Sequence, residues 1–319
     1  MHTAVEECSK VDGIFSAPLV WLDVREIYFP SDLAAHVENT TPNINATTIL
    51  NPPAQLTLDN LDRLNSYGSN GTNVYLTSDE DVTTKPKWLN GEKPDSKGAT
   101  KESTSAVVII NDHGSGVVDV FYMYFYSFNR GNTVYTHDLG NHIGDWEHNM
   151  VRFVNGTPTA LWYSQHSYGQ AFTYDAVEKE GIRPVAYSAR GSHANYGMPG
   201  LHDHSIPDHN LPSGFLIDHT SKGRIWDPIL NAYFYTFDPT TKSFTSVGER
   251  ESPLGFMYFT GQWGDEQYPR EDPRQDIFLG FYKYVSGPTG PRDKDLNRTE
   301  MCPTNYRLLP CTVRDELVP

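Results

Sequence analysis

Runs of β-branched and aromatic residues, separated by turn-forming residues, dominate the last two-thirds of the chain. They lie at 107–110, 118–128, 147–154, 160–166, 231–238, 254–260 and 277–284. Strand-like runs at this spacing are typical of sandwiches and barrels. The run VDVFYMYFYSF at 118–128 is apolar on both faces, which predicts a central strand covered on both sides. We therefore predict an all-β fold, a β-sandwich with long loops and few short helices.

The first third of the chain has a different composition, rich in Pro, Asn, Thr, Asp and Gly. Residues 1–105 are predicted to form a loop-rich segment that wraps the core, and residues 106–319 the sandwich, within one structural domain. Ser31 followed by 32–37 predicts a capped helix of about two turns. A single short helical turn at 175–179 is the one helical signal in the middle of the chain, so a βαβ architecture is not expected.

The charge and hydropathy of the chain exclude several classes of partner. A formal net charge of −15 would repel phosphate backbones, so nucleic acid is not an expected partner. No apolar run of about 18 residues is present, so no transmembrane segment is expected, and residues 1–10 lack the apolar stretch of a signal peptide. A small-molecule substrate is the partner that the sequence favours.

Sequons and cysteines favour a secreted protein, or one in the lumen of the secretory pathway or vacuole. Asn-x-Thr sequons, where a glycan could be attached, occur at Asn39, Asn45, Asn70, Asn155 and Asn297. The three cysteines fit an oxidising compartment if Cys302 and Cys311 close a small loop, which leaves Cys8 unpaired or bound to another partner. Three reduced thiols are the alternative.

The segment GNHIGDWEH at 140–148 concentrates titratable side chains. If it opens a strand, Asp145 and Glu147 project to one face, and Trp146 and His148 to the other. Two carboxylates and the imidazole of His142 suit a divalent cation, Mg²⁺, Ca²⁺ or Mn²⁺, completed by water. They equally suit acid–base catalysis without a cofactor, in which crowded carboxylates raise one another's pKa. A buried polar cluster that orders the strand start is the third interpretation.

Histidines at predicted turns extend this candidate site. We predict that His166 and His193 act as catalytic residues together with His142, Asp145 and Glu147, because loops at the end of a sandwich often carry function. His193, in the Gly-permitted turn GSH, is alternatively a core imidazole. The predicted substrate-binding residues are Tyr124, Tyr126, Trp146, His148, Tyr168 and His202.

Two further features bear on the site. The cluster at 202–204, His-Asp-His, is either a second metal site or a solvated loop, and His209 is predicted to lie on the surface. The aromatic runs YMYFYSF, NAYFYTF and FMYF offer surfaces that bind conjugated rings, although most of their residues are expected in the core. Motifs for nucleotide cofactors, zincin chemistry and an α/β-hydrolase serine are not found.

The segments FYMYFYSFNRGN, GNHIGDWEH, YSQHS, GSHANY, WDPILNAYFY and KYVSGPTGPRDK resemble, in the same order, those of the fungal vacuolar-protein-sorting sixty-two family. The resemblance runs from about residue 18 to Cys302. The family name implies a role in vacuolar targeting and does not identify a reaction.

More distantly, the chain resembles the necrosis-inducing cytolysins of plant pathogens, β-sandwich proteins with the hallmark G-H-R-H-D-W-E. That resemblance implies a divalent-cation site at His142, Asp145 and Glu147. The second histidine of the hallmark is replaced by Gly144, and the aspartate that ends the aromatic strand falls near Asn129. An amide in place of a carboxylate lowers affinity for a hard cation.

Three functions are compatible with these features. The first is a fungal enzyme of secondary metabolism that binds a conjugated small molecule and promotes dehydration or cyclisation by acid–base and hydrogen-bond catalysis. In this respect the chain looks similar to exported, glycosylated pericyclases, including a hetero-Diels–Alder type. The second is a divalent-metal-dependent module that binds glycolipid at a membrane, as the cytolysins do. The third is a vacuolar sorting factor without catalysis.

Overall fold

The computed structural model describes residues 16–50, 52, 55–205, 214–248, 252–304 and 310–319. The predictions for Cys8 and His209 lie outside these residues. Within them the helices are α1 (Leu33–Glu38), α2 (Gly255–Tyr258) and short 3₁₀ segments at Leu61–Ser66, Val82–Thr84, Lys87–Asn90, Pro228–Asn231 and Pro291–Asp293. The strands are β1 (Leu19–Leu22), β2 (Thr40–Ile44), β3 (Thr47–Thr48), β4 (Tyr75–Ser78), β5 (Ala106–Gly114), β6 (Val117–Asn129), β7 (Asn132–Val134), β8 (His137–Leu139), β9 (His142–Val154), β10 (Thr157–Gln165), β11 (Tyr168–Thr173), β12 (Lys179–Glu180), β13 (Arg183–Ser188), β14 (Asn195–Tyr196), β15 (Gly200–Asp203), β16 (Ile217–Thr220), β17 (Arg224–Trp226), β18 (Ala232–Asp238), β19 (Ser243–Ser246), β20 (Ile277–Phe278), β21 (Phe281–Tyr282) and β22 (Val313–Arg314).

Two packed sheets form the body of the protein. The larger has the order β19-β18-β5-β6-β9-β10-β11-β22, and the smaller has the order β12-β13-β1-β17, with β14 also paired to β13. In the larger sheet β6 pairs antiparallel with both β5 and β9, and β18 lies parallel to β5. The predicted all-β sandwich is confirmed.

The central strand β6 has a core on each of its faces. Its tyrosines pack toward the smaller sheet, in a cluster that includes Val20 and Trp226. Phe125 and its alternate neighbours pack on the opposite face, in a cluster with Trp146 and Trp263. The strand is apolar on both faces because both are removed from water, so the central position predicted for residues 118–128 is confirmed.

The N-terminal residues contribute more regular structure than their composition predicts. β1 lies between β13 and β17 in the smaller sheet, parallel to the first and antiparallel to the second. Its sequence, LVWL, is too short to show a strand period beside the surrounding turn residues. The helix α1 begins one residue later than predicted, because the N-cap is Asp32, whose carboxylate accepts a hydrogen bond from the Ala35 amide at 2.8 Å, and not Ser31.

Two of the predicted strand runs have a different structure. Residues 254–260 contain the helix α2, whose Phe256 and Met257 are buried in the same core as Trp146 and Trp263. A short apolar run does not distinguish a strand from a buried helical turn, which explains this wrong prediction. Residues 277–284 are broken into the hairpin β20–β21 by Leu279 and Gly280, which both have positive φ.

Candidate functional site

A cavity of about 550 Å³ opens at the end of the larger sheet where β6 ends and β9 begins. Its wall is built from segments that are distant in sequence, at 129–132, 139–148, 162–168 and 281–295. Most of the segments that carry the resemblance to the vacuolar-protein-sorting sixty-two family therefore meet here.

Most of the predicted site residues lie in this wall. They are His142, Asp145, Trp146, Glu147, His148, His166 and Tyr168. Asp145 and Glu147 lie opposite Tyr126 and Tyr124 of β6, so the two carboxylates share a face of the sheet, as predicted.

Four predicted residues are not in the cavity wall. Tyr124 and Tyr126 are buried between the sheets, because the ring of Tyr124 packs against Trp226 and that of Tyr126 stacks on His193. His202 stacks on Tyr196, with ring centroids 3.8 Å apart. These three residues are therefore not placed for the substrate contact predicted for them, and His193 reaches the site only through Asp145.

Glu147 lies in an environment that favours the neutral form of its carboxyl group. It is buried, and its Oε2 atom has no hydrogen-bond partner among the described residues. Burial, followed by the negative charge of Asp145, raises the pKa of Glu147 to about 8, against smaller opposing effects of Lys294 and His166. A carboxylic acid in this environment holds its proton at neutral pH and can donate it.

His142 has the opposite character. Its Nδ1–H donates a hydrogen bond to the Gly144 carbonyl oxygen at 2.7 Å, which leaves Nε2 as the acceptor of the ring. Burial lowers its pKa, an effect larger than that of the nearby Asp145 charge. The local turn requires glycine at 144, because φ is +67° and an added Cβ would lie 1.8 Å from the Trp263 carbonyl oxygen. A neutral imidazole can accept a proton, so this wall holds an acid and a base.

Asp145 is paired with His193 behind the wall. His193 is fully buried, its Nδ1 lies 2.9 Å from Asp145 Oδ2, and its Nε2 lies 3.1 Å from the Tyr28 carbonyl oxygen. Burial opposes the charged ring, but the Asp145 hydrogen bond and the Glu26 carboxylate raise the pKa of His193. Both ring nitrogens face acceptors, so His193 is positively charged and fixes the position of the Asp145 side chain.

A second polar cluster, formed by His166, His204 and Asp218, borders the same cavity. Asp218 is fully buried, and His166 Nε2 lies 2.8 Å from its Oδ2. Burial acts against the charge on His166, but the Asp218 carboxylate raises the pKa of His166 to about 9. Asp218 is not among the residues predicted from the sequence. Its neighbours in sequence, an alternating I-D-H-T, have the pattern of a half-exposed strand and give no sign of a site.

Arg298 is a further residue that the sequence did not reveal. It is buried, and its guanidinium donates a hydrogen bond to His148 Nε2 at 3.0 Å. Burial lowers the pKa of Arg298 to about 10, and burial together with the charge on Arg298 lowers that of His148 well below its ordinary value. Charged residues are rarely buried, so the sequence alone gives no reason to predict that this arginine lies beside the site.

The structure also shows where the predicted disulfide and the predicted glycosylation sites lie. Cys302 and Cys311 form a disulfide with an S–S distance of 2.07 Å. Among the sequons, Asn45, Asn70, Asn155 and Asn297 are exposed and Asn39 is half-buried. None of the helices in the described part of the chain has the length and hydrophobicity that crossing a bilayer requires.

Comparison with known proteins gives one family and one group of solved structures. A family model described as vacuolar protein sorting-associated protein 62 matches residues 4–218. The vacuolar protein sorting-associated protein TDA6 of Saccharomyces cerevisiae is 40% identical, over 95% of this chain and 70% of the relative. Vacuolar protein sorting-associated protein 62 of the same organism is 36% identical, over 91% of this chain and 66% of the relative. The chain thus spans about two-thirds of the length of these relatives.

Among solved structures, the alignments are weaker. NLPPya in complex with glucosamine aligns with a TM-score of 0.31 and 11% identity, over 71% of this chain and 73% of that chain. The non-toxic HaNLP3 protein aligns with a TM-score of 0.30 and 13% identity, over 71% of this chain and 74% of that chain.

Proposed function

The chain belongs to the family of vacuolar protein sorting-associated protein 62, a name that specifies no reaction, and we propose from the chemistry of its cavity that it is an acid–base enzyme acting on a small molecule. In this proposal Glu147 is the general acid and His142 the general base. Asp145, held by His193, is a positioning residue that keeps the proton on Glu147. The proposed reaction is a dehydration, alone or followed by ring closure.

One observation carries this proposal. Glu147 is buried in the cavity wall with an oxygen atom that has no partner among the described residues. An unpartnered buried polar atom costs about 1–3 kcal/mol, so it persists where another requirement maintains it. Oε2 is shielded from solvent, so a ligand oxygen would supply the missing partner after the Glu147 side chain turns toward the cavity.

The proposed step balances without an added oxidant or reductant. His142 Nε2 takes a proton from a carbon atom of the substrate, and the electron pair of that bond forms a carbon–carbon double bond. The neighbouring C–O bond breaks, and Glu147 gives its proton to the departing hydroxyl, which leaves as water. Transfer of the proton from His142 back to Glu147 restores the starting state.

The remaining wall indicates the kind of substrate. Tyr168, Phe281 and Tyr282 provide aromatic surface, and the cavity volume of about 550 Å³ is that of a small-molecule site. Aromatic side chains bind flat conjugated rings well. We therefore propose a conjugated small molecule of secondary metabolism that carries a hydroxyl group β to an acidic C–H bond.

Comparative metabolite analysis tests the proposal. Purified protein is incubated with an extract of the producing organism, and the products are followed by mass spectrometry. We expect at least one component to lose the mass of one water with the natural protein and with Glu102→Gln, a control at an exposed glutamate, and to persist with Glu147→Gln. Loss of water at an equal rate with Glu147→Gln, or no change in any component, would contradict the proposal.

A cation-dependent binding module is the second candidate. Asn129, His142, Asp145 and Glu147, the positions that the cytolysin resemblance matches to a divalent-cation site, all line the cavity. Their oxygen and nitrogen atoms suit Ca²⁺, Mg²⁺ or Mn²⁺, although Asp145 Oδ2 is engaged by His193. This function predicts binding to vesicles that contain a glycosylated lipid, with loss of binding in chelator and in Asp145→Asn.

The proposed compartment is the lumen of the secretory pathway or vacuole, or the exterior of the cell. The names of the relatives refer to the vacuole, and the Cys302–Cys311 disulfide and the exposed sequons are suited to an oxidising compartment. Treatment of the protein from its natural host with an endoglycosidase tests this. An increase in electrophoretic mobility supports it, and an unchanged mobility together with reduced cysteines would contradict it.

A further inference from the structure

His166, His204 and Asp218 are brought together by two hairpins. His166 is in the turn between β10 and β11, with φ at +56°. His204 follows β15, and Asp218 lies on β16, which pairs with β15. A left-handed backbone is uncommon at residues other than glycine, and histidine is among those that adopt it most often.

Potential ligand atoms of these three residues converge. They all lie within 4.8 Å of one another, and this is the one such group of His, Cys, Asp or Glu found within the described residues. His166 Nε2 is 2.8 Å from one oxygen of Asp218, and His204 Nε2 is 3.9 Å from the other. The two imidazole rings face each other with centroids 4.1 Å apart. Zinc sites are built from imidazole nitrogens and carboxylate oxygens in such groups.

The carboxylate is held by further donors. Asp218 accepts hydrogen bonds from Ser192 Oγ at 2.7 Å, Tyr196 OH at 2.8 Å and Asn132 Nδ2 at 3.3 Å. Donors of this kind orient the carboxylate ligand of a metal site and fix its position.

An ion pair alone does not explain the cluster. One imidazole is sufficient to neutralise Asp218, and two imidazoles at stacking distance repel each other when both are charged. His204 is nevertheless held against His166, with its Nε2 3.0 Å from Asn132 Oδ1. The two histidine side chains are 30% and 24% exposed and line the cavity, so a bound ion would face the cavity on one side.

We propose that His166, His204 and Asp218 bind a divalent transition-metal ion of the zinc class, with an open coordination position toward the cavity. Binding displaces the proton on His166 Nε2 and the contact between His204 and Asn132. The site is distinct from the set His142, Asp145 and Glu147, and it does not depend on the acid–base function, because metal binding is measured without a substrate.

Metal titration tests this site. Protein stripped with a chelator is titrated with Zn²⁺ by calorimetry and with Co²⁺ by visible absorption. We expect one Zn²⁺ per chain, and an affinity at least about 100-fold weaker in His204→Ala, since loss even of a supporting residue costs about 10–100-fold. His137→Ala, which removes a surface histidine paired with Asp276, and His142→Ala should bind as the natural protein does.

X-ray absorption of the zinc-loaded natural protein provides a second measurement that does not depend on the folding of any variant. Two imidazole ligands are expected, and a single imidazole ligand would overturn the proposal. Unchanged binding by His204→Ala, loss of binding in His142→Ala with retention in His204→Ala, or no stoichiometric binding would each overturn it as well.

Discussion

Replacement of Glu147 by glutamine should change the pH dependence of stability in a defined direction. Burial raises the pKa of Glu147 in the folded state to about 8, against an ordinary value of 4.5. Because the folded state binds the proton more tightly, the unfolded state ionises first as the pH rises. The stability of the natural protein therefore falls, relative to Glu147→Gln, from about pH 4.5 and stops falling above about pH 8.

The magnitude follows from the size of the shift. The difference of 8 and 4.5 is 3.5 pKa units, and each unit is worth about 1.36 kcal/mol, so the relative loss is about 5 kcal/mol at pH 9. Glutamine retains the shape of the protonated side chain and cannot ionise. Near pH 4 the stabilities of the two proteins should therefore differ little.

Urea denaturation followed by tryptophan fluorescence, at pH values from 4 to 9, measures the difference. Subtraction of the two curves removes the contribution of the titrating groups that do not interact with Glu147. Glu102→Gln serves as the control whose difference curve should be flat. A flat difference curve for Glu147→Gln would refute the assignment of Glu147 as a protonated buried acid. A rise in the relative stability of the natural protein with pH would refute it equally.

The other predictions concern the support of the site. Gly144→Ala should destabilise the protein by at least about 2 kcal/mol in urea denaturation, because of its positive φ and the closeness of the Trp263 carbonyl oxygen, and an unchanged midpoint would contradict the local geometry. His193→Ala should cost about 3–5 kcal/mol by the same measurement, because Asp145 loses its buried partner, and a neutral effect would argue against a charged pair. Without reductant, Cys302→Ser should lower the free energy of unfolding by about 2–3 kcal/mol, the entropy of closing a loop between residues nine apart. In this variant the addition of reductant should no longer change the stability, and a variant as stable as the natural protein would contradict the contribution of the disulfide.

The fold was predictable where burial left a pattern in the sequence. The aromatic run of β6 predicts a strand covered on both faces, because a half-exposed strand alternates apolar with polar residues and this run does not. The smaller sheet was not predictable to the same degree. β1 is four residues long, and it pairs with β13 and β17 only after some 160 to 200 residues of chain have intervened, so no local signal reports its partners.

Some residues of the candidate site were likewise predictable from the sequence, and others were not. Asp145 and Glu147 are two residues apart on one strand, and a period of two places them on one face. Arg298 and Asp218 reach the site from other segments through tertiary packing, and their immediate neighbours show no functional pattern. Tyr124 and Tyr126 are predicted in the site because they are aromatic, but Trp226 covers the ring of Tyr124 and His193 covers that of Tyr126. No local pattern in the sequence reports these two contacts.

The protonation state of Glu147 can be measured directly by a carbon-13 NMR titration of protein labelled at the glutamate carboxyl carbons. The Glu147 signal is assigned by its absence from Glu147→Gln, and its shift is followed from pH 4 to 10. We predict a carboxyl group that remains protonated through pH 6 and titrates near pH 8. A pKa of Glu147 within about one unit of the ordinary value of 4.5 would contradict the proposed general acid.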